Sequence, residues 1–178
     1  MPSLPQALAP WHDFFALVGT AAATLIGLLF VAASVGSEFY TAQRMYVVRA
    51  FLSSSVVHFA CVLAACLSML VPIGRWEIMA VLTAGIGVFG MCYAVLVWRT
   101  MVQTRLIASL DVSDRLFYCR LPVLGHAILF ASAGAFLLRV SNACGVLALA
   151  VGVLLFGGIR NAWDITVWAV TRSRGGGS

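Results

Sequence analysis

The side chains most able to do chemistry in this chain are ionisable groups inside long apolar segments. Arg160 and Asp164 lie four residues apart, a spacing at which a cation and an anion pair on one helix face, and Asn161 lies on an adjoining face. An ionised side chain within a membrane helix costs about 3 kcal/mol unless it pairs or faces water. The pair is therefore typical either of an ion pathway or gate, or of the membrane boundary, where arginine reaches the headgroups.

Two histidines lie in other apolar segments. At about 1.5 Å of rise per residue, His58 and His126 fall at a depth similar to that of Arg160, and Ser54 lies one helical turn from His58. A single histidine in such a helix is more often a hydrogen-bonded core residue than a ligand. Two at one depth predict a proton-responsive pair, because histidine titrates near neutrality. The alternative is a pair of axial haem ligands, although the sequence contains no haem-attachment motif.

Composition indicates the solvent in which these groups lie. Of 178 residues, 62% are hydrophobic and only 10% are charged, against about a quarter charged in soluble domains. The mean hydropathy is +1.03. The five cysteines lie in or beside apolar segments, where they act as small hydrophobes. We therefore expect a single-domain, all-α polytopic transmembrane bundle.

Charge-free stretches of about 20 residues mark the helices that would cross a hydrocarbon core. They predict five spans, at about 14–36, 47–72, 78–98, 118–138 and 143–168, which together form one membrane domain over 14–170. Residues 1–13 are predicted as an extracytoplasmic segment without the basic region of a signal peptide. Residues 171–178 are predicted as a flexible tail whose Gly-Gly-Gly-Ser resembles an added linker.

The arginines predict the orientation of the bundle. Eight of the eleven lie at one side of the predicted spans and two, Arg75 and Arg139, at the other. The positive-inside rule then places the N-terminus outside and the C-terminus in the cytoplasm. Because arginines lie at span ends rather than in clusters with exposed aromatics, the net charge of +5 indicates topology and not nucleic-acid binding.

Small residues recur every four positions along the first span. Gly19, Ala23 and Gly27 form one face, with Thr20 and Thr24 beside it. In lipid, such a face lets helix backbones approach closely. The face predicts either packing against another helix of the same chain or a homo-oligomer interface.

Two segments carry a resemblance. Residues 19–34 (GTAAATLIGLLFVAAS) and 158–164 (GIRNAWD) resemble small uncharacterised bacterial multi-pass inner-membrane proteins. The resemblance implies a helical protein of the bacterial inner membrane and carries no activity with it.

The sequence contains no catalytic triad order, paired carboxylates, nucleotide loop or zinc spacing, so we expect no enzyme and no metal site. The leading hypothesis is a homo-oligomeric protein in the lipid bilayer with an ion or proton pathway or gate. Its candidate residues are Arg160, Asp164, Asn161, His58, His126 and Ser54. The alternatives are an accessory subunit docked on a membrane protein partner and, less favoured, a bis-histidine haem protein, since no cofactor is otherwise expected.

Overall fold

The structure is a computed structural model that describes the backbone of residues 3–36, 42–103 and 120–173. Side chains are described over 3–34, 53–100, 102–103 and 120–164. The predicted link between the third and fourth spans lies mostly outside the described residues, as does the end of the predicted tail.

The described chain is helical, as the apolar segments predict. A short helix α1 (Leu4–Leu8) and a 3₁₀ turn (Ala9–Trp11) lead into five long helices. These are α2 (His12–Gly36), α3 (Ala42–Leu70), α4 (Trp76–Gln103), α5 (Leu121–Leu137) and α6 (Ala143–Ser173). Each long helix overlaps one of the five predicted segments. The segment predicted as an extracytoplasmic extension is helical from Leu4, whose side chain is buried.

Four helices are long and apolar enough to cross a membrane. The qualifying stretches are Leu4–Ser34, Ser53–Leu70, Trp76–Thr100 and Ala143–Asp164. Leu121–Leu137 is apolar but shorter. A multi-pass helical membrane protein is thus indicated, while the fifth span and the orientation stay predictions.

The turn between α5 and α6 is stabilised by local hydrogen bonds and by one ion pair to α4. Arg139 adopts a left-handed backbone with φ of 52°. The Val140 N–H donates to the Ala135 carbonyl at 2.9 Å and the Arg139 N–H donates to the Phe136 carbonyl, which closes the end of α5. The Arg139 side chain then donates to Glu77 Oε1 at 3.0 Å, and this bond ties the turn to the first turn of α4.

Four helices form a ring, in which α3 packs on α4, α4 on α5, α5 on α6 and α6 on α3. As a result α3 and α5 face each other across the ring. Helix α2 lies outside it, mainly against α3. The core is filled by fully buried side chains that include Phe59, Val62, Leu129, Leu147 and Leu154. Large apolar residues such as Phe30, Val81 and Phe156 are exposed on the outer surface, where lipid would cover them.

Candidate functional site: a buried imidazole pair

The centre of the ring holds a pair of histidines from opposite helices. The rings of His58 on α3 and His126 on α5 have centroids 5.6 Å apart and planes inclined at 43°. His58 is 3% exposed and His126 is fully buried. The two histidines that the sequence predicts at a similar depth in the membrane are therefore in contact, although 68 positions separate them along the chain.

Neither ring nitrogen of His126 has a hydrogen-bond partner among the described residues. Buried polar side-chain atoms usually have one, because an unpaired donor or acceptor loses its hydrogen bonds to water without replacement. Leaving both nitrogens unpaired makes the ring a site with unused hydrogen-bonding capacity. Two of the buried side-chain polar atoms that lack a partner in the described part of the molecule belong to this ring.

The position of the His126 ring depends on a glycine of α4. A Cβ added at Gly90 would lie 2.7 Å from Nε2 and nearer still to Cε1 and Nδ1. One turn away, a Cβ at Gly87 would lie 2.9 Å from the backbone nitrogen of Phe130. The two glycines allow α5 to approach the backbone of α4 closely, and Gly90 leaves room for the imidazole itself.

Polar side chains lie beside the pair on the side of the α3 N-terminus. Ser54 is buried one turn from His58. Asn161 of α6 is also buried, and its Nδ2 donates to Ser55 Oγ at 2.7 Å. At about 1.5 Å per residue, this bond lies only about 4.5 Å along the helix axis from His58. Asn161 thus belongs to the same polar layer as the histidines.

The predicted ion pair forms further towards the same end of the bundle. Arg160 Nη1 and Asp164 Oδ1 are 2.7 Å apart at the i, i+4 spacing. Their side chains are 39% and 22% exposed. The pair therefore lies towards the outer side of α6, and Asn161 lies on the inner side.

The small-residue face of α2 is only partly used for packing within the chain. Gly19 is buried, and a Cβ there would lie 3.1 Å from Cβ of Cys66. Gly27 has no atom within 4 Å of such a position. Ala23, Thr20 and Thr24 are exposed, and both threonine hydroxyls donate to carbonyls of their own helix. The helix packs instead through the neighbouring stripe formed by Phe15, Gly19, Ala22 and Leu29.

Within the described ranges, no group of three or more histidine, cysteine, aspartate or glutamate side chains has a metal-binding arrangement. His58 and His126 are the residues that a haem would use as axial ligands. The His126 ring is packed against Gly90, so a porphyrin would have to part helices that touch here. Haem binding stays a prediction, and absorbance of the purified protein in the Soret region tests it.

Two residues that shape the site, Ser55 and Gly90, carry little signal in the sequence. Ser55 stands among three consecutive serines, and periodicity alone does not identify the one that bonds to Asn161. Gly90 lies four residues before Ala94 and so on a small-residue face of the same helix, but its role depends on which side chain faces it. A signal for either would require the rotational setting of each helix, which hydropathy does not specify when most faces are apolar.

Comparisons with protein-family models, with curated proteins and with solved structures found no match to this chain. Function is therefore inferred from the geometry of the chain's own residues. The strongest element of that geometry is the contact between His58 and His126.

Proposed function

We propose that this helical membrane protein binds and exchanges protons at the His58–His126 pair. The observation that carries the proposal is a buried imidazole contact in which both nitrogens of His126 lack a hydrogen-bond partner among the described residues. Imidazole is the side chain whose ordinary titration falls between about pH 5 and 8. Two imidazoles in contact bind protons as a coupled unit, because a charge on one ring opposes a charge on the other.

The packing around the pair supports a proton over a larger ion. Phe59, Leu129 and Leu154 are fully buried around this level and fill the ring of helices. A hydrated ion needs an open, water-lined passage. A proton needs only groups that can exchange it across hydrogen bonds, such as imidazole nitrogens and hydroxyls.

Histidine-resolved ¹⁵N NMR of the protein in lipid nanodiscs tests the proposal. The third histidine, His12, is exposed at the start of α2, so His12→Asn removes its signal without touching the pair. We expect the two remaining imidazoles to take up a proton as the pH is lowered from 8 within the range in which the protein stays folded. Replacing either histidine by glutamine should shift the titration of the other.

The proposal fails if both imidazoles keep one protonation state from pH 8 down to the pH at which the protein unfolds. A titration of each ring that is unaffected by replacing its neighbour would contradict the coupled pair. His12→Asn alone should leave both titrations as they are in the unmodified chain.

The second candidate function is self-association or docking onto a membrane partner. It is favoured by the exposed face of α2 that holds Thr20, Ala23, Thr24 and Gly27. Because apolar burial does not drive helix association in lipid, small residues on an outer face favour close packing with a second helix. This role is compatible with proton binding and is tested separately below.

A further inference from the structure

The two ends of the bundle differ in what lies next to the imidazole pair. Towards the N-terminal end of α3, the neighbours are Ser54, Ser55 and Asn161, followed by the Arg160–Asp164 pair. Asp164 lies about 4.5 Å further along α6 than Asn161 and is partly exposed. Polar groups therefore extend from the buried rings to a partly exposed carboxylate. These five residues, Ser54, Ser55, Asn161, Arg160 and Asp164, form what we call the polar end of the bundle.

The opposite side of the pair is apolar. From His58 to the end of α3 the chain rises about 18 Å. Over that depth the buried side chains are mainly apolar and come from all four helices of the ring. They include Val62, Ala65, Met69, Met79, Leu129, Phe136, Leu147 and Val151. This packed layer separates the pair from the turns that follow α3 and α5.

The buried hydroxyls within the apolar layer are turned back on their own helices. Thr83 Oγ1 donates to the Met79 carbonyl at 2.8 Å. Ser132 Oγ donates to the Leu129 carbonyl at 2.6 Å. Since their protons are engaged in local bonds, these hydroxyls do not extend the polar chain beyond the histidines.

We infer that the imidazole pair exchanges protons only through the polar end, so that it is a one-sided proton-binding site closed towards the opposite membrane face. The inference rests on the proposed proton binding at His58 and His126. Uptake of one proton from water at the polar end adds one positive charge to the pair, and release returns the proton to the same side. In this conformation the bundle binds protons without conducting them across.

The other titratable groups near this level are few among the described residues. On α3 there is Cys61, on α4 Tyr93 and the exposed Cys92, and on α6 Arg160 and Asp164. Tyr93 shares a side-chain hydrogen bond with Ser53 of α3, and this bond adds a further polar contact at the polar end. On α5 the described titratable group at this depth is His126 itself. Asp164 is the one carboxylate in this group, so it is the expected point of proton entry.

Asn161 acts as a positioning residue, because its amide holds the Ser55 hydroxyl beside the histidine turn. Replacing Asn161 by leucine, or Ser55 by alanine, should slow proton exchange between the rings and water. We expect exchange to be about tenfold slower, which corresponds to a barrier higher by about 1.4 kcal/mol. Thr83→Val and Ser132→Ala alter matched buried hydroxyls in the apolar layer and should leave the exchange rate unchanged.

The measurement is the exchange broadening of the imidazole ¹⁵N signals of the full chain in nanodiscs. Equal slowing by Ser132→Ala or Thr83→Val, or an unchanged rate in both Ser55→Ala and Asn161→Leu, overturns one-sided access. A second measurement needs no variant: vesicles containing the protein and an internal pH dye should dissipate a pH step no faster than protein-free vesicles. Faster dissipation abolished by His126→Gln would also overturn it.

The failures of the two proposals are distinguishable. If neither imidazole titrates, the proposed proton binding is wrong. If both titrate and vesicles conduct protons through the pair, proton binding stands and only the one-sided access is wrong.

Discussion

The imidazole ring of His126 occupies the space in which a side chain at Gly90 would stand. The backbone of α4 therefore forms one wall of the histidine site. On that side the ring contacts backbone and not a flexible side chain. The same packing against α4 fixes the position of His126 relative to His58, because the His126 ring cannot move towards α4. Gly90 thus fixes the geometry of the pair without any polar atom of a side chain.

Gly90→Ala should displace the His126 ring. Overpacking of this kind costs about 1–3 kcal/mol in cores that cannot relax. We expect lower stability against denaturation in mild detergent, together with weaker coupling between the two histidine titrations. Both effects follow from the overlap between the new methyl group and the ring.

Gly85→Ala is the matched control on the same helix, since a Cβ there meets no atom within 4 Å. It should be neutral or stabilising by up to about 1 kcal/mol, because alanine favours the helix more than glycine. A similar loss of stability in both variants would show that overlap with the His126 ring is not the cause of the destabilisation.

Asp164→Asn should have a modest effect on stability. The side chains of Arg160 and Asp164 are partly exposed, and i, i+4 pairs on helix surfaces contribute about 0.2–0.5 kcal/mol. A double-mutant cycle with Arg160→Gln, followed by thermal denaturation in detergent, measures the coupling. A coupling energy of about 3 kcal/mol or more would instead place the pair in the hydrocarbon region.

The left-handed backbone at Arg139 predicts an ordering of two variants. Arg139→Ala and Arg139→Gly both lose the bond to Glu77. Only glycine adopts the positive φ without penalty, which amounts to about 1–2 kcal/mol for a residue with a Cβ. Denaturation midpoints should therefore rank the glycine variant above the alanine variant. The opposite ranking would contradict the role of this turn in closing α5.

The outer face of α2 gives a test of self-association. Gly27→Leu adds bulk on an exposed face and should leave the monomer folded while reducing any dimer seen by light scattering or energy transfer in lipid. Gly19→Leu adds the same bulk against Cys66 and should destabilise the monomer itself. If Gly27→Leu leaves the oligomeric state unchanged, this face is a lipid-facing surface.

Much of the architecture follows from hydropathy. Long apolar stretches between arginines predict all-helical structure, and the start of α6 at Ala143 follows from the turn residues Ser141 and Asn142. Depth could be compared because helix rise is constant, and this brought His58, His126 and Arg160 to within about one turn of each other. What depth does not give is the azimuth of each side chain.

The rotational position of each side chain around its helix determines which residues form the site. Arg160 and Asn161 are adjacent in sequence, yet Asn161 lies inside the bundle and Arg160 on its outer side. The face of Gly19, Ala23 and Gly27 is equally clear in sequence, yet Gly19 alone packs tightly within the chain. In a helix that is apolar on all sides, the buried face is determined by small differences in how the side chains fit. The hydrophobic periodicity of such a helix is weak, so the sequence does not indicate which face is buried.

Because α3 and α5 face each other across the ring, the spacing of the two imidazoles reports the width of the bundle. The repulsion between two positive rings falls as they part, so the proton affinity of the pair depends on how far apart α3 and α5 lie.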